Sequence, residues 1–209
     1  MPRTSSTRDD LLNAAQEQFG TRGVQATSIR DLARAVGIKE SSVYKHFRSK
    51  QAIWEALLER TSSRFEDAAA RLGIEPTDAA AAVDSYREIT PDQLVVIAEA
   101  LFEFHVHDPS SVAFRRVLTL EQFRDPRAGE MLRRRFIEEP LAFQTTLFGR
   151  LLGLPRADAQ RLALAFWGPI YLLLDLAAVD EPHARELLTR HVRDFATRLA
   201  QTHPTQVAP

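Results

Sequence analysis

Apolar positions along this 209-residue chain recur at three- and four-residue spacing, and no segment alternates as a half-buried strand would. The pattern predicts an all-α protein. Thr7 followed three residues later by Asp10 has the form of an acidic capping box, opening a helix on which Leu12, Ala15 and Phe19 share a face. Gly20 and Gly23 mark its end. A second helix starts at Thr27 or Ser28, buries Ile29, Leu32, Ala33 and Val36, and breaks at Gly37. A third, very short one is expected from Lys39 to Phe47, and Ser49 caps a fourth that reaches Leu72. The alanine-rich stretch from Pro76 to Glu88 reads as a loop with at most one short helix. Thr90-Pro91-Asp92 then supplies a cap, a proline at the first helical position and an early acid, for a helix that Asp108-Pro109 ends after His107. Further helices are expected over 111–123, 126–152 with a kink at Pro140, 155–179 and 182–201, followed by a disordered tail, THPTQVAP.

Composition narrows the chemistry. The absence of cysteine excludes a disulfide framework, a thiolate zinc site and a cysteine nucleophile, and fits a reducing compartment. The first residues, MPRTSSTRDDLL, hold no apolar run of the kind a secretion signal needs, so a cytoplasmic location is expected. The formal net charge of -1 conceals an asymmetry: residues 1–50 carry nine Lys and Arg against five acids, a balance of +4, which leaves -5 for the remainder. All three lysines of the protein, Lys39, Lys45 and Lys50, fall within twelve positions of one another. Opposite signs in the two parts point to two tasks, one of them beside a polyanion.

That basic stretch, GIKESSVYKHFRSK at 37–50, follows a short helix and a glycine turn, which is the sequence shape of a helix-turn-helix. At about 100° per residue, Val43 and Phe47 fall together and face a core. Ser41 and Lys45 then point away from it, with Ser42 and Tyr44 on the flanks, a set able to donate to phosphate oxygens and base edges in a major groove. Glu40 is expected on the inner half near the helix start, where the macrodipole favours a carboxylate. Lys50, at the start of the fourth helix, is placed to grip a backbone phosphate together with free helix N–H groups, and Thr27 and Arg30 to do the same across the groove.

The run Thr27-Ser28-Ile29-Arg30-Asp31-Leu32-Ala33-Arg34-Ala35-Val36-Gly37-Ile38, followed by Ser42-Val43-Tyr44-Lys45-His46-Phe47-Arg48-Ser49-Lys50, resembles the DNA-binding domain of tetracycline-repressor (TetR) family regulators. Its most specific parts are Tyr-x-His-Phe-x-Ser-Lys at 44–50 and Ala-x-x-x-Gly at 33–37, within a likeness that covers residues 7–60. Lys39 stands where the family usually has a serine and Ser41 where glycine is common, which bears on the fine geometry and the operator sequence. The resemblance implies an N-terminal helix-turn-helix three-helix domain joined by a long helix to a C-terminal helical ligand-binding and dimerisation domain. It also implies a homodimer on double-stranded DNA, in most members a repressor whose small effector changes the spacing of the two reading heads. By position, Ser41, Ser42 and Lys45 would read bases while Thr27, Arg30, Tyr44, His46 and Lys50 hold phosphates, and Ser28 and Lys39 complete the DNA-binding set. Residues 1–50 form the expected DNA-binding domain and 51–209 the effector-binding and dimerisation domain.

The stretch LALAFWGPIYLLLDLAA, 162–178, is apolar on every face except at Asp175. It falls short of the roughly 20 residues that a membrane span needs, has Gly168-Pro169 at its centre and follows Arg161, so burial on all sides explains it better. The last helix offers Leu188, His191, Val192, Phe195 and Leu199 as one stripe, which suits an intramolecular core and a two-fold partner equally well; a homodimer through the last two helices is the expectation the resemblance adds. Aromatic residues crowd the second half, and Phe102, His105, Phe123, Phe143, Trp167 and Tyr171 are the candidates for lining a pocket for a hydrophobic or aromatic effector. His105 and His107 diverge by about 200° on a helix, so a shared metal ion is not expected. No catalytic constellation, phosphate loop or dinucleotide fingerprint is present, which argues against an enzyme and against a bound cofactor. A ligand-released repressor is the leading expectation, with a constitutive DNA-binding or architectural dimer as the alternative.

Overall fold

The computed structural model describes residues 6–71, 79–87 and 89–202, and all the regular structure among them is helical. Eleven α-helices follow one another among the described residues: α1 (Thr7–Arg22), α2 (Ile29–Val36), α3 (Glu40–Val43), α4 (Lys50–Arg71), α5 (Ala79–Arg87), α6 (Pro91–His107), α7 (Pro109–Glu121), α8 (Pro126–Arg133), α9 (Glu139–Leu152), α10 (Arg156–Leu176) and α11 (Glu181–Thr202). A π-helical turn, Arg134–Glu138, leads into α9. The chain divides into two units, residues 1–68 with 109–132, and 69–108 with 133–209.

This division departs from a boundary after residue 50, because the first unit recruits a segment distant in sequence. The α7 face formed by Phe114, Val117 and Leu118 is buried, as are Leu11, Leu12, Ala15 and Phe19 of α1 and Ile53, Trp54 and Leu57 of α4. Phe19 meets Trp54 edge-on at 6.2 Å, and Phe65 of α4 lies 5.2 Å from Phe114. Each such large side chain, fully buried, contributes roughly 1.5–3 kcal/mol, which α1–α4 without α7 would forgo. Polar ties supplement the packing. Trp54 Nε1 donates to Asp125 Oδ2 at 2.5 Å, and Arg60 of α4 reaches Asn13 Oδ1 and Gln16 Oε1 at 3.0 and 3.1 Å. Burial, reinforced by the nearby Arg64 charge, lowers the Arg60 pKa to about 10.

Helix ends follow from local chemistry. The cap of α1 lies one residue earlier than Thr7: Ser6 accepts from the Asp9 N–H. Ser28 settles the start of α2 through a reciprocal capping box with Asp31, and Gly37 ends it in the left-handed region at φ +74°. Thr90 and Gln93 form the capping box of α6, with Pro91 at the first helical position. Asp108-Pro109 ends α6 as expected, but Pro109 also begins α7 at once, since a proline at a helix start lacks only an N–H that would be orphaned anyway. The helix of the alanine-rich stretch is α5, while 76–78 and Glu88 lie outside the described residues. Thr202 belongs to α11, and the rest of the expected tail also lies outside them.

The second unit is built on a continuous apolar core from α5, α6, α9, α10 and α11, in which Phe148, Phe166 and Phe195 cluster with ring centroids 4.8–6.0 Å apart. Pro140 produces a widened turn in place of a simple kink. Having no N–H, it leaves the Phe136 carbonyl without its helical donor, and the Trp167 indole N–H fills that vacancy at 2.8 Å. Along the same register Glu139 N–H bonds Arg134 O, five residues back.

Candidate DNA-binding interface

The α2–turn–α3 segment presents its side chains as the helical wheel requires, although α3 is shorter than expected. Only Glu40–Val43 is α-helical; Lys45 N–H to Ser42 O and His46 N–H to Val43 O then tighten the chain into i→i+3 turns up to Phe47. Val43 and Phe47 are buried at 0% and 5% exposure, so two apolar anchors hold this short segment. Ser41, Lys45, His46 and Lys39 are exposed, Tyr44 is 53% exposed and Ser42 is half-buried. The polar face is therefore free of the core. Arg30 is exposed on α2, 3.9 Å from Glu40, which is itself outward-facing rather than on the inner half; an exposed pair at that distance holds little energy and leaves the guanidinium able to turn elsewhere. Arg8 packs over the Phe47 ring at 5.0 Å, a cation–π contact that was not anticipated.

Three of the expected DNA-binding residues are engaged within the fold. Ser28 is committed to its cap, its hydroxyl donating to Asp31 Oδ2 at 2.6 Å while it accepts the Asp31 N–H at 3.1 Å. These bonds from the Ser28 side chain and then its backbone hold the Asp31 carboxyl below the ordinary carboxylate range. Thr27 is 1% exposed and its hydroxyl donates to Gly23 O at 3.0 Å, which corrects its placement at a phosphate: the side chain closes the loop between α1 and α2. Lys50 Nζ donates to Val24 O, Gln25 O and Thr27 O at 2.8, 3.4 and 3.0 Å. These three carbonyls match the three N–H donors of an ammonium.

Residues 11–57 match the tetR family of bacterial regulatory proteins. The matched segment lies within the first unit and is similar to the DNA-binding part of TetR-family regulators. Over 54 residues the chain is 44% identical to the transcriptional repressor KstR2 of Mycolicibacterium smegmatis, and over 58 residues 38% identical to the transcriptional repressor ComR of Escherichia coli. These alignments take in 26% and 28% of the relatives' lengths, so the chain matches about a quarter of each. The fold likeness extends further: a TetR-like transcriptional regulator from Rhodococcus sp. RHA1 superposes with a TM-score of 0.58 over 92% of this chain and 96% of that one, at 20% identity. At that identity the likeness speaks for the TetR fold alone.

In the second unit of this TetR-fold chain, the six effector candidates do not form one site. Phe123 is 92% exposed and belongs to the first unit; it falls beyond the end of α7, whose inward stripe is already supplied by Phe114, Val117 and Leu118. Phe102 is fully buried under the Arg185 guanidinium, 5.4 Å from its ring, and His105 is buried between the rings of Phe104 and Phe136 at 5.1 and 5.5 Å. Trp167 is buried, with its indole N–H committed to Phe136 O. Phe143 and Tyr171 are half-buried against the core, Phe143 edge-on to Tyr86 at 6.5 Å. Burial raises the Tyr86 pKa. Among the described residues, a groove of about 880 Å³ lies between α9 and α10, with walls that include Leu141, Thr145, Gly149, Arg150, Leu154 and Leu164. Periodicity did not reveal it, because a groove depends on how far apart two helices lie.

The two expected dimer helices also differ. The α11 stripe of Leu188, Val192, Phe195 and Leu199 is buried within the unit, and His191 Nε2 lies 2.9 Å from Phe166 O, which can only accept, so that nitrogen carries the proton. On α10, by contrast, Leu164 and Leu172 are 61% and 67% exposed and Val179, just past its end, 89%. No helix among the described residues is long and apolar enough to cross a membrane, and none of their acidic and histidine side chains form a metal-binding group.

Proposed function

We propose that this protein is a sequence-specific transcriptional repressor that binds a palindromic operator as a homodimer, with no enzymatic activity of its own, in the cytoplasm. The observation that carries this reading is the outward set of Ser41, Tyr44, Lys45 and His46 over the buried anchors Val43 and Phe47, inside the segment that matches the family. Lys45 and Ser41 offer donors to base edges, Ser42 flanks them, and Tyr44, His46, Arg30 and Lys39 surround them as phosphate contacts. One such segment makes too few contacts for selectivity, so two heads about 34–36 Å apart are needed to read both half-sites. Two exposed leucines on α10, Leu164 and Leu172, with Val179 just past its end, support the dimer, because large apolar side chains left at the surface suit a partner. The contribution of α11 is narrower than expected, since its apolar stripe is already used within the unit.

For the effector, the α9–α10 groove supports a small amphipathic molecule, apolar against Leu141, Leu154 and Leu164, with Glu138, Arg150 and Arg156 to meet polar ends. The filled aromatic core favours a second reading, a DNA-binding dimer that is constitutive. Thermal-shift screening followed by operator release separates the two: a compound that stabilises the protein and frees the DNA supports the repressor with an effector. Selection of duplexes from a randomised pool tests the shared claim, and equal retention of all sequences would sink it. With a selected duplex, Lys45→Ala is expected to weaken binding about tenfold, equivalent to ~1.4 kcal/mol, with the largest loss of discrimination at one base position.

A further inference from the structure

The loop joining α1 to α2 is held at a single residue from both sides. Val24 N–H donates to Glu121 Oε1 at 2.7 Å and Val24 O accepts from Lys50 Nζ at 2.8 Å. Glu121 comes from α7 and is 2% exposed, on the same stripe as Phe114, Val117 and Leu118. A carboxylate at a core position signals a specific polar partner, because an unmatched one would be strongly destabilising there. Lys50, at the first turn of α4, also takes the carbonyls of Gln25 and Thr27, and the Thr27 hydroxyl returns to Gly23 O. The loop makes room for this arrangement. Gly23 has φ +82°, and a Cβ there would stand 3.0 Å from Glu121 Oε1, so the approach of α7 suits glycine at that position. Ser28, which opens α2, follows within one residue of this clasp.

We propose that Lys50 and Glu121 are positioning residues for DNA reading, which clamp Val24 between α4 and α7 and so set the entry of α2 and the aim of α3, and that Lys50 makes no phosphate contact. This rests on the DNA-binding reading above. A cation on the carbonyl and a carboxylate on the N–H each make charge-assisted bonds to backbone groups, stronger than neutral ones and directional enough to define the loop. The recognition segment beyond it is too short to define its own direction.

The experiment is a salt-dependent anisotropy titration of the full-length protein with a duplex that the wild type enriches from a randomised pool. Each phosphate contact contributes about 0.9 to the slope of log affinity against log salt. Lys50→Met is expected to weaken binding about tenfold with the slope unchanged, whereas loss of a phosphate contact would lower that slope. Lys50→Arg provides a second variant that retains the charge. It is expected to weaken binding at constant slope, since a planar guanidinium cannot converge on three carbonyls, whereas a phosphate ligand would tolerate the change. Glu121→Ala is expected to weaken binding and speed amide exchange at Val24, and Glu121→Gln, which keeps an acceptor oxygen, to restore both. The Lys50→Met and Glu121→Ala effects should be non-additive, because both release one residue. A slope reduced by about 0.9 in Lys50→Met, or wild-type affinity in Lys50→Arg or Glu121→Ala, would overturn the clamp while leaving DNA binding in place. Failure of the wild type to enrich any duplex would overturn both.

Discussion

Both units pack aromatic rings in their interiors, but they differ in where their charged side chains are used. In the first, lysine, glutamate, aspartate and threonine side chains fix loops and helix starts, as at Val24 and Ser28, and the aromatic Tyr44 is turned outward. In the second, aromatic rings fill the interior, and the polar groups His107, Glu103, Glu181 and Arg185 form a network nearer the surface. Hydrogen bonds from Arg185 and then His107 hold the Glu181 carboxyl below its ordinary range. The lesson is that an outward-facing segment with few anchors is held by a backbone fixed through directional bonds, whereas a core is set mainly by volume and shape.

Replacing rings with smaller side chains tests the packing side of this contrast most strongly. Phe102→Ala, at a fully buried site, is expected to cost about 3–5 kcal/mol, and Phe123→Ala, at an exposed one, less than about 0.5 kcal/mol, both measured by denaturant unfolding. Equal losses would mean that Phe123 is covered in solution. A smaller effect, about 1–3 kcal/mol, is expected for Trp167→Phe, which removes the indole N–H donated to the Phe136 carbonyl together with part of the buried ring. Trp167→Phe at wild-type stability would show that neither this hydrogen bond nor the full indole volume matters to the second unit. The smallest effect concerns pH. Because the folded-state pKa of Asp31 is depressed, its cap contributes fully above the unfolded carboxylate pKa of about 3.9 and is lost as pH falls through the lower folded value. Asp31→Asn should therefore narrow the difference in melting temperature between neutral and strongly acidic solution. An unchanged difference would remove the cap from the polar devices of the first unit.

Much of this architecture was legible in the sequence, because helices declare themselves through periodicity and caps. Thr90-Pro91 and Gly37 mark their boundaries, and Val43 with Phe47 set the direction of the recognition segment from spacing alone. What could not be read was anything that depends on residues distant in sequence. Glu121 lies 97 positions from Val24, so its role was hidden, although a carboxylate in register with Phe114, Val117 and Leu118 was a readable anomaly. The carbonyl contacts of Lys50 were hidden for a related reason: its position at a helix start suggested phosphate, while the three carbonyls it binds come from a loop whose path depends on the fold. Phe102, Trp167 and Phe123 show the same limit, since composition made them equivalent and the fold gives one a cation, one a carbonyl and one solvent.

The brevity of α3 has an evolutionary consequence. A recognition segment held by two inward side chains and turned by i→i+3 bonds gains little stability from the identity of its outward residues. Ser41, Tyr44 and Lys45 are thereby released from the demands of folding, and on the proposed reading duplicated copies of such a gene could acquire new operators by substitution at these positions while the scaffold beneath them stays unchanged.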